Sequence, residues 1–145
     1  PFDDVLAEYI TEIGCNVVRG DEDNVFSRYQ KVASETGFEN IVRLTGDNPR
    51  IDIDLVFHCI EKHLQGNSAL TTTRKIEGSQ VTRYVPKGLS VDVINSKDLL
   101  SIDAQDLNEY ETEHVIPFFF ENFGVQLVKD FVVKAWVVDE DEGTS

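Results

Sequence analysis

Methionine is absent from all 145 residues, cysteine occurs twice and proline four times. The chain opens Pro1-Phe2-Asp3-Asp4, with no charged-then-apolar leader, and reads as a processed or truncated chain. No run of about 18 apolar residues exists, which excludes a membrane-spanning helix. Positive charge is scarce: 13 Lys and Arg stand against 27 Asp and Glu, a formal net charge of −14. That shortage argues against a duplex nucleic-acid binder, which needs a basic face. Cys15 and Cys59 belong to no CxxC pattern, so two buried, reduced thiols of a cytoplasmic protein are expected. Gly-x-Ser-x-Gly, Gly-x-Gly-x-x-Gly and phosphate-loop sequences are also missing. His58 and His63 are spaced i, i+5, whereas zinc-protease pairs are i, i+4 with Glu beside the first.

What is present is enough for a core. Hydrophobic residues make up 41%, and a chain of this length can bury about 68–70% of its unfolded surface without a disulfide or metal staple. The charge is uneven, with eight basic and seven acidic residues between positions 41 and 100 in an otherwise acidic chain. That base-rich middle suits an anionic small ligand; the alternative is a merely solvated surface.

Apolar periodicity predicts helices over Val5–Ile13, Val25–Ala33 and Leu55–Leu64, with Gly14, Gly37 and Gly66 as stops. Strands are predicted at 15–19, 40–45, 68–73 and 89–93, and residues 74–88 read as a long polar loop. Ser96 is the expected cap of a short helix. Residues 111–123 read as a helix with Pro117 in its first turn or at a kink, the Phe118–Phe120 run serving the core. Residues 125–138 read as one or two strands. Strands and helices alternating at this spacing predict an open α/β sheet, mostly parallel, with helices on its faces.

In such sheets ligands gather outside the carboxyl ends of strands. Arg43-Leu44-Thr45-Gly46-Asp47-Asn48-Pro49 has the form expected there: Gly46 permits close backbone approach, and Asp47 is a hard oxygen ligand for Mg²⁺. The same residues are also ordinary turn chemistry. Asp139, after Trp136-Val137-Val138, is a second such carboxylate or else part of a solvated acidic tail. Two carboxylates converging on Mg²⁺ suit a reaction on a nucleoside triphosphate.

Four blocks in order resemble the cytidylyltransferases of spore-coat polysaccharide biosynthesis, relatives of the CMP-sugar synthetases. Val18 to Tyr29 is similar to that group's Arg-Gly…acidic…Arg-Tyr block. Arg43 to Asp52 resembles Arg-Leu/Ile-Thr-Gly-Asp-x-Pro-x-Ile-Asp. Tyr84 to Val93 resembles Tyr-Pro-x-Gly-Leu-Asp-Val-Glu-Val, with Ser90 where the group has Asp and Asp92 where it has Glu. Glu113-His114-Val115-Ile116-Pro117-Phe118 resembles Glu-His-Val-Thr-Pro-Tyr.

The resemblance implies a Rossmann-like, GT-A-like nucleotidyltransferase fold, a three-layer sandwich. Residues 1–145 would form one domain fragment, incomplete at the N-terminus and lacking the nucleotide-binding loop. It further implies transfer of CMP from CTP to a sugar, with Mg²⁺ as cofactor, for cell-surface polysaccharide assembly. Carried over by position, Asp47 is the catalytic and metal carboxylate and Asp139 the second metal ligand. Arg28, Gly46 and Asn48 face the nucleotide, and Lys87, Asp92, Glu113 and His114 the substrate. Two further readings stay open: a non-catalytic module that keeps the fold without the triphosphate loop, and a homo-oligomer whose exchanged strands complete the sheet.

Overall fold

A computed structural model describes residues 3–45 and 50–133. The predicted helices form as α1 (Asp4–Glu12), α2 (Val25–Thr36) and α3 (Ile53–Gln65). Asn24 caps α2 by accepting from the Ser27 amide, and Asp52 caps α3 by accepting from Leu55. The strands are β1 (Asn40–Arg43), β2 (Leu70–Thr72), β3 (Arg74–Glu77), β4 (Gln80–Arg83), β5 (Asp92–Asn95) and β6 (Val125–Leu127). Three short helices complete the fold: α4 (Ser96–Ser101), α5 (Glu109–His114) and α6 (Pro117–Asn122).

The main sheet has the order β1-β5-β2-β6. Pleat alternation sends its side chains into two cores on opposite faces, which makes the three layers. Ile94 and Leu70, with Ile41, join Phe26, Leu99, Ile116 and Phe119 under α2, α4 and α6. Val93, with Val42, joins Leu55 and Cys59 under α3. The sheet is mixed: β2 and β6 are parallel, and β5 runs antiparallel to both β1 and β2. The physical reason lies in the connection. A parallel return needs a crossover, usually a helix, and between β2 and β5 the chain builds a hairpin instead.

That hairpin is β3–β4, in the stretch predicted to be a loop. Gly78-Ser79 is its two-residue turn, with Glu77 opposite Gln80 and Gly78 at φ 59°. Other expectations are also corrected. Residues 15–19 carry strand-like alternation but form no ladder, and Cys15 is exposed while Cys59 is buried. Asn95, not Ser96, caps α4. The predicted helix over 111–123 divides into α5 and α6, with Pro117 in the first turn of α6, where its missing N–H breaks no hydrogen bond. Beyond β6, residues 128–133 are irregular, and residues 134–138 lie outside the described residues. Of the Phe118–Phe120 run, Phe119 is buried and its neighbours pack against the same core. Helix α1 forms with its apolar face outward: Val5, Leu6, Tyr9 and Ile13 are all exposed.

A buried polar cluster ties α3 to the sheet. The two ring nitrogens of His63 meet Thr71 Oγ1 at 2.8 Å and Asn40 Oδ1 at 3.0 Å. Burial holds this imidazole below its ordinary pKa of 6.5. Because the unfolded chain then binds the proton first, stability is full above about pH 6.5 and declines as pH falls below it, by at most about 1.4 kcal/mol per pH unit. Urea midpoints measured between pH 7.5 and 5.5 should fall for the wild type and less steeply for His63→Gln; equal slopes would refute the assignment.

Candidate active site

At the Arg43 end of β1 and the Asp92 end of β5, a cavity of about 200 Å³ is lined by Arg43, Arg74, Arg83, Lys87, Asp92 and His114, among others. Four strands deliver four of its charges: β1 ends in Arg43, the hairpin of β3 and β4 begins with Arg74 and closes with Arg83, and β5 starts with Asp92. Arg74 and Arg83 are register partners across the hairpin. The hairpin base is pinned to the sheet: Tyr84 N donates to Thr73 O at 2.9 Å, and Val91 N donates to Thr73 Oγ1 at 3.1 Å.

Asp92 organises this cluster. It is 1% exposed, and its Oδ2 accepts from Arg43 Nη1 at 3.1 Å and Arg74 Nη2 at 3.0 Å. Its Oδ1 accepts from Thr72 Oγ1 at 2.6 Å. The carboxylate therefore fixes two guanidinium groups and neutralises one charge, leaving the cavity cationic within an acidic protein. The Nε–H groups of Arg43 and Arg74 are buried with no acceptor among the described residues. Arg43 also lies over the Tyr29 ring, 5.7 Å from its centroid. What such a site can do is bind an oxyanion through several charged donors held in fixed directions.

The sequence-derived candidates fall into three groups. Lys87, Asp92 and His114 come together in the cavity. Glu113 lies beside it, its Oε2 3.9 Å from His114 Nε2. Arg28 is elsewhere: with Arg19 and Gly20 it lines a separate cavity of about 430 Å³ against α1. Gly46, Asp47, Asn48 and Asp139 lie outside the described residues. Among the described residues no group of three or more His, Cys, Asp or Glu has a metal-binding arrangement. Asp92 is already engaged by its three donors.

Sequence reasoning did not single out Arg74 and Arg83 as ligand groups. Their signal was the Gly78-Ser79 turn, which places the two arginines at the base of one hairpin.

The α/β sandwich, with a polar, charged cavity at its strand ends, has the Rossmann-like fold of the nucleotidyltransferases. The sequence model of the family described as Cytidylyltransferase matches residues 2–137, and the chain belongs to that family. It is 33% identical over 116 residues to the Spore coat polysaccharide biosynthesis protein SpsF of Bacillus subtilis, covering 78% of this chain and 44% of that protein. It is 31% identical over 120 residues to the uncharacterized protein MJ1063 of Methanocaldococcus jannaschii, covering 83% of this chain and 46% of the relative. A solved cytidylyltransferase from Leptospira borgpetersenii superposes with a TM-score of 0.72 at 27% identity, covering 87% of this chain and 52% of that one. The chain thus spans about half the length of the relatives it matches.

Proposed function

We propose that the protein transfers CMP from CTP to an acidic sugar destined for a cell-surface polysaccharide. Family membership supports the nucleotidyl transfer, and the name of the Bacillus relative supports the polysaccharide context. The observation that carries the acidic sugar is the cationic cavity, two of whose arginines, Arg43 and Arg74, have buried Nε–H groups with no acceptor among the described residues. In the reaction a sugar hydroxyl oxygen forms a bond to the α-phosphorus of CTP. The bond from that phosphorus to the bridging oxygen breaks, pyrophosphate leaves, and the hydroxyl proton passes to water.

Arg43, Arg74, Arg83 and Lys87 hold the sugar's anionic group, and His114 borders it. Asp92 keeps two of the arginines in place. Catalysis here rests on positioning and charge, so no nucleophilic Ser, Cys or His is needed. Asp47 and Asp139 are the proposed Mg²⁺ ligands; a bound Mg²⁺ would neutralise phosphate charge. The supply of CTP makes the cytoplasm the expected location.

Labelled CTP incubated with the full-length protein and a panel of nonulosonic acids tests this reading. Pyrophosphate release should depend on the acidic sugar, and Asp47→Ala should lower the rate by at least about 100-fold. Unchanged release in Asp47→Ala, or equal turnover with neutral sugars, would overturn it.

A further inference from the structure

Between α5 and α6 the backbone makes a turn that L residues rarely adopt. Val115 has φ 69° and ψ −59°, and Ile116 N donates to His114 O at 2.8 Å. This is a γ-turn of the strained kind, centred on a β-branched residue. Among the described residues Val115 is the only non-glycine with positive φ. Glycine would hold the turn without that penalty, whereas alanine would keep the penalty and lose the valine's packing.

The surroundings over-determine the strained state. Val115 N donates to Glu111 O at 3.0 Å, closing α5, and Phe119 N donates to Ile116 O at 3.0 Å, opening α6. Val115 and Ile116 are both 0% exposed, packed with Phe119 in the larger core. The residue at the first position of the turn is His114, which lines the cationic cavity and whose ring meets Tyr110 at 4.4 Å between centroids, tilted by 46°. Strain of this kind persists where a neighbouring group must be aimed.

We propose that Val115 is a positioning residue of the anion cavity, its γ-turn fixing the backbone that aims the His114 imidazole at the bound anion. The inference rests on the anion-site reading above. Val115 itself touches no ligand; it acts through His114. The charged groups that line the cavity with His114 are Arg43, Arg74, Arg83, Lys87 and Asp92, and Glu113 on its own helix lies 3.9 Å from its Nε2.

Inorganic phosphate titrated into the protein and followed by NMR tests the proposal. In the wild type, saturable shifts should appear together at the His114 ring, at the Val115 and Ile116 amides and at the Arg43 and Arg74 Nε–H groups. Val115→Ala and Val115→Gly both lose side-chain packing, but only alanine keeps the backbone penalty of the turn. Alanine should let the turn relax, weaken phosphate binding about fivefold and abolish the His114 ring shift, while glycine stays within about twofold of wild type. Unchanged affinity in both variants, or equal weakening in both, would assign Val115 a purely structural role. Should the alanine variant fail to fold, the wild-type spectrum decides: arginine shifts without shifts at residues 114–116 overturn the proposal, and joint shifts support it. Absence of a saturable shift at Arg43, Arg74 and Arg83 would remove the anion site itself, a failure distinct from that of the turn.

Discussion

Replacing Asp92 by alanine is expected to remove about 3–5 kcal/mol of folding stability, because it strands two buried guanidinium groups. The Arg43 and Arg74 side chains are 10% and 16% exposed, and each loses its only anionic partner among the described residues. The Thr72 hydroxyl loses its acceptor as well. Asp92→Asn preserves volume and one acceptor while removing the charge, so a smaller loss is expected. Its stability should recover with added sulfate more steeply than that of the wild type, since an anion can then take the carboxylate's place. Urea midpoints with and without sulfate provide the measurement. A loss below about 1 kcal/mol in Asp92→Ala would mean that the cluster is solvated and does not organise the cavity.

The second large effect is expected at the far side of the same cavity. Arg83 and Lys87 face the ligand space without being held by Asp92, so their removal should leave the fold intact. A charged hydrogen bond contributes about 1.5–3 kcal/mol, so Arg83→Met with Lys87→Met should raise the KM for an acidic sugar roughly 100-fold or more. The KM for CTP should stay within about threefold, and the urea midpoint should not move. The comparison is diagnostic of which substrate the cavity serves: a large rise for CTP with no change for the sugar would reassign it to the nucleotide.

The elements most legible in the sequence were those with strong periodicity and a glycine stop. Helices α1, α2 and α3 follow that rule, and β1 and β2 formed where short apolar runs met turn residues. Residues 15–19 show why periodicity alone does not make a strand: alternation supplies a face, but a ladder needs a partner, and none pairs there among the described residues. The hairpin carrying Arg74 and Arg83 was illegible for the opposite reason. Its strands have only Ile76 and Val81 as apolar anchors, on the same face as Arg74 and Arg83, and the other face, with Lys75, Glu77, Gln80 and Thr82, is wholly polar.

The candidate site was legible in part. Lys87, Asp92 and His114 were named from motif resemblance and come together, whereas Arg28 lines another cavity. The role of Asp92 was not readable at all. A carboxylate in a family block suggests contact with substrate, and only its burial against two arginines and a threonine shows it working as an organiser. The break at Val115 was equally hidden: Pro117 marked a boundary, but nothing in the sequence marks a β-branched residue as the centre of a tight turn.

The two thiols differ in a way that reaches beyond folding. Cys59 is buried on the inward face of α3, and desolvation, with the charges of Asp92 and Asp130, pushes its pKa up to about 12. It therefore carries almost no thiolate near neutral pH, whereas Cys15 lies open on the surface. A maleimide dye added to the native protein should attach at Cys15 alone, so an optical reporter can be installed away from the arginine cluster without engineering a single residue.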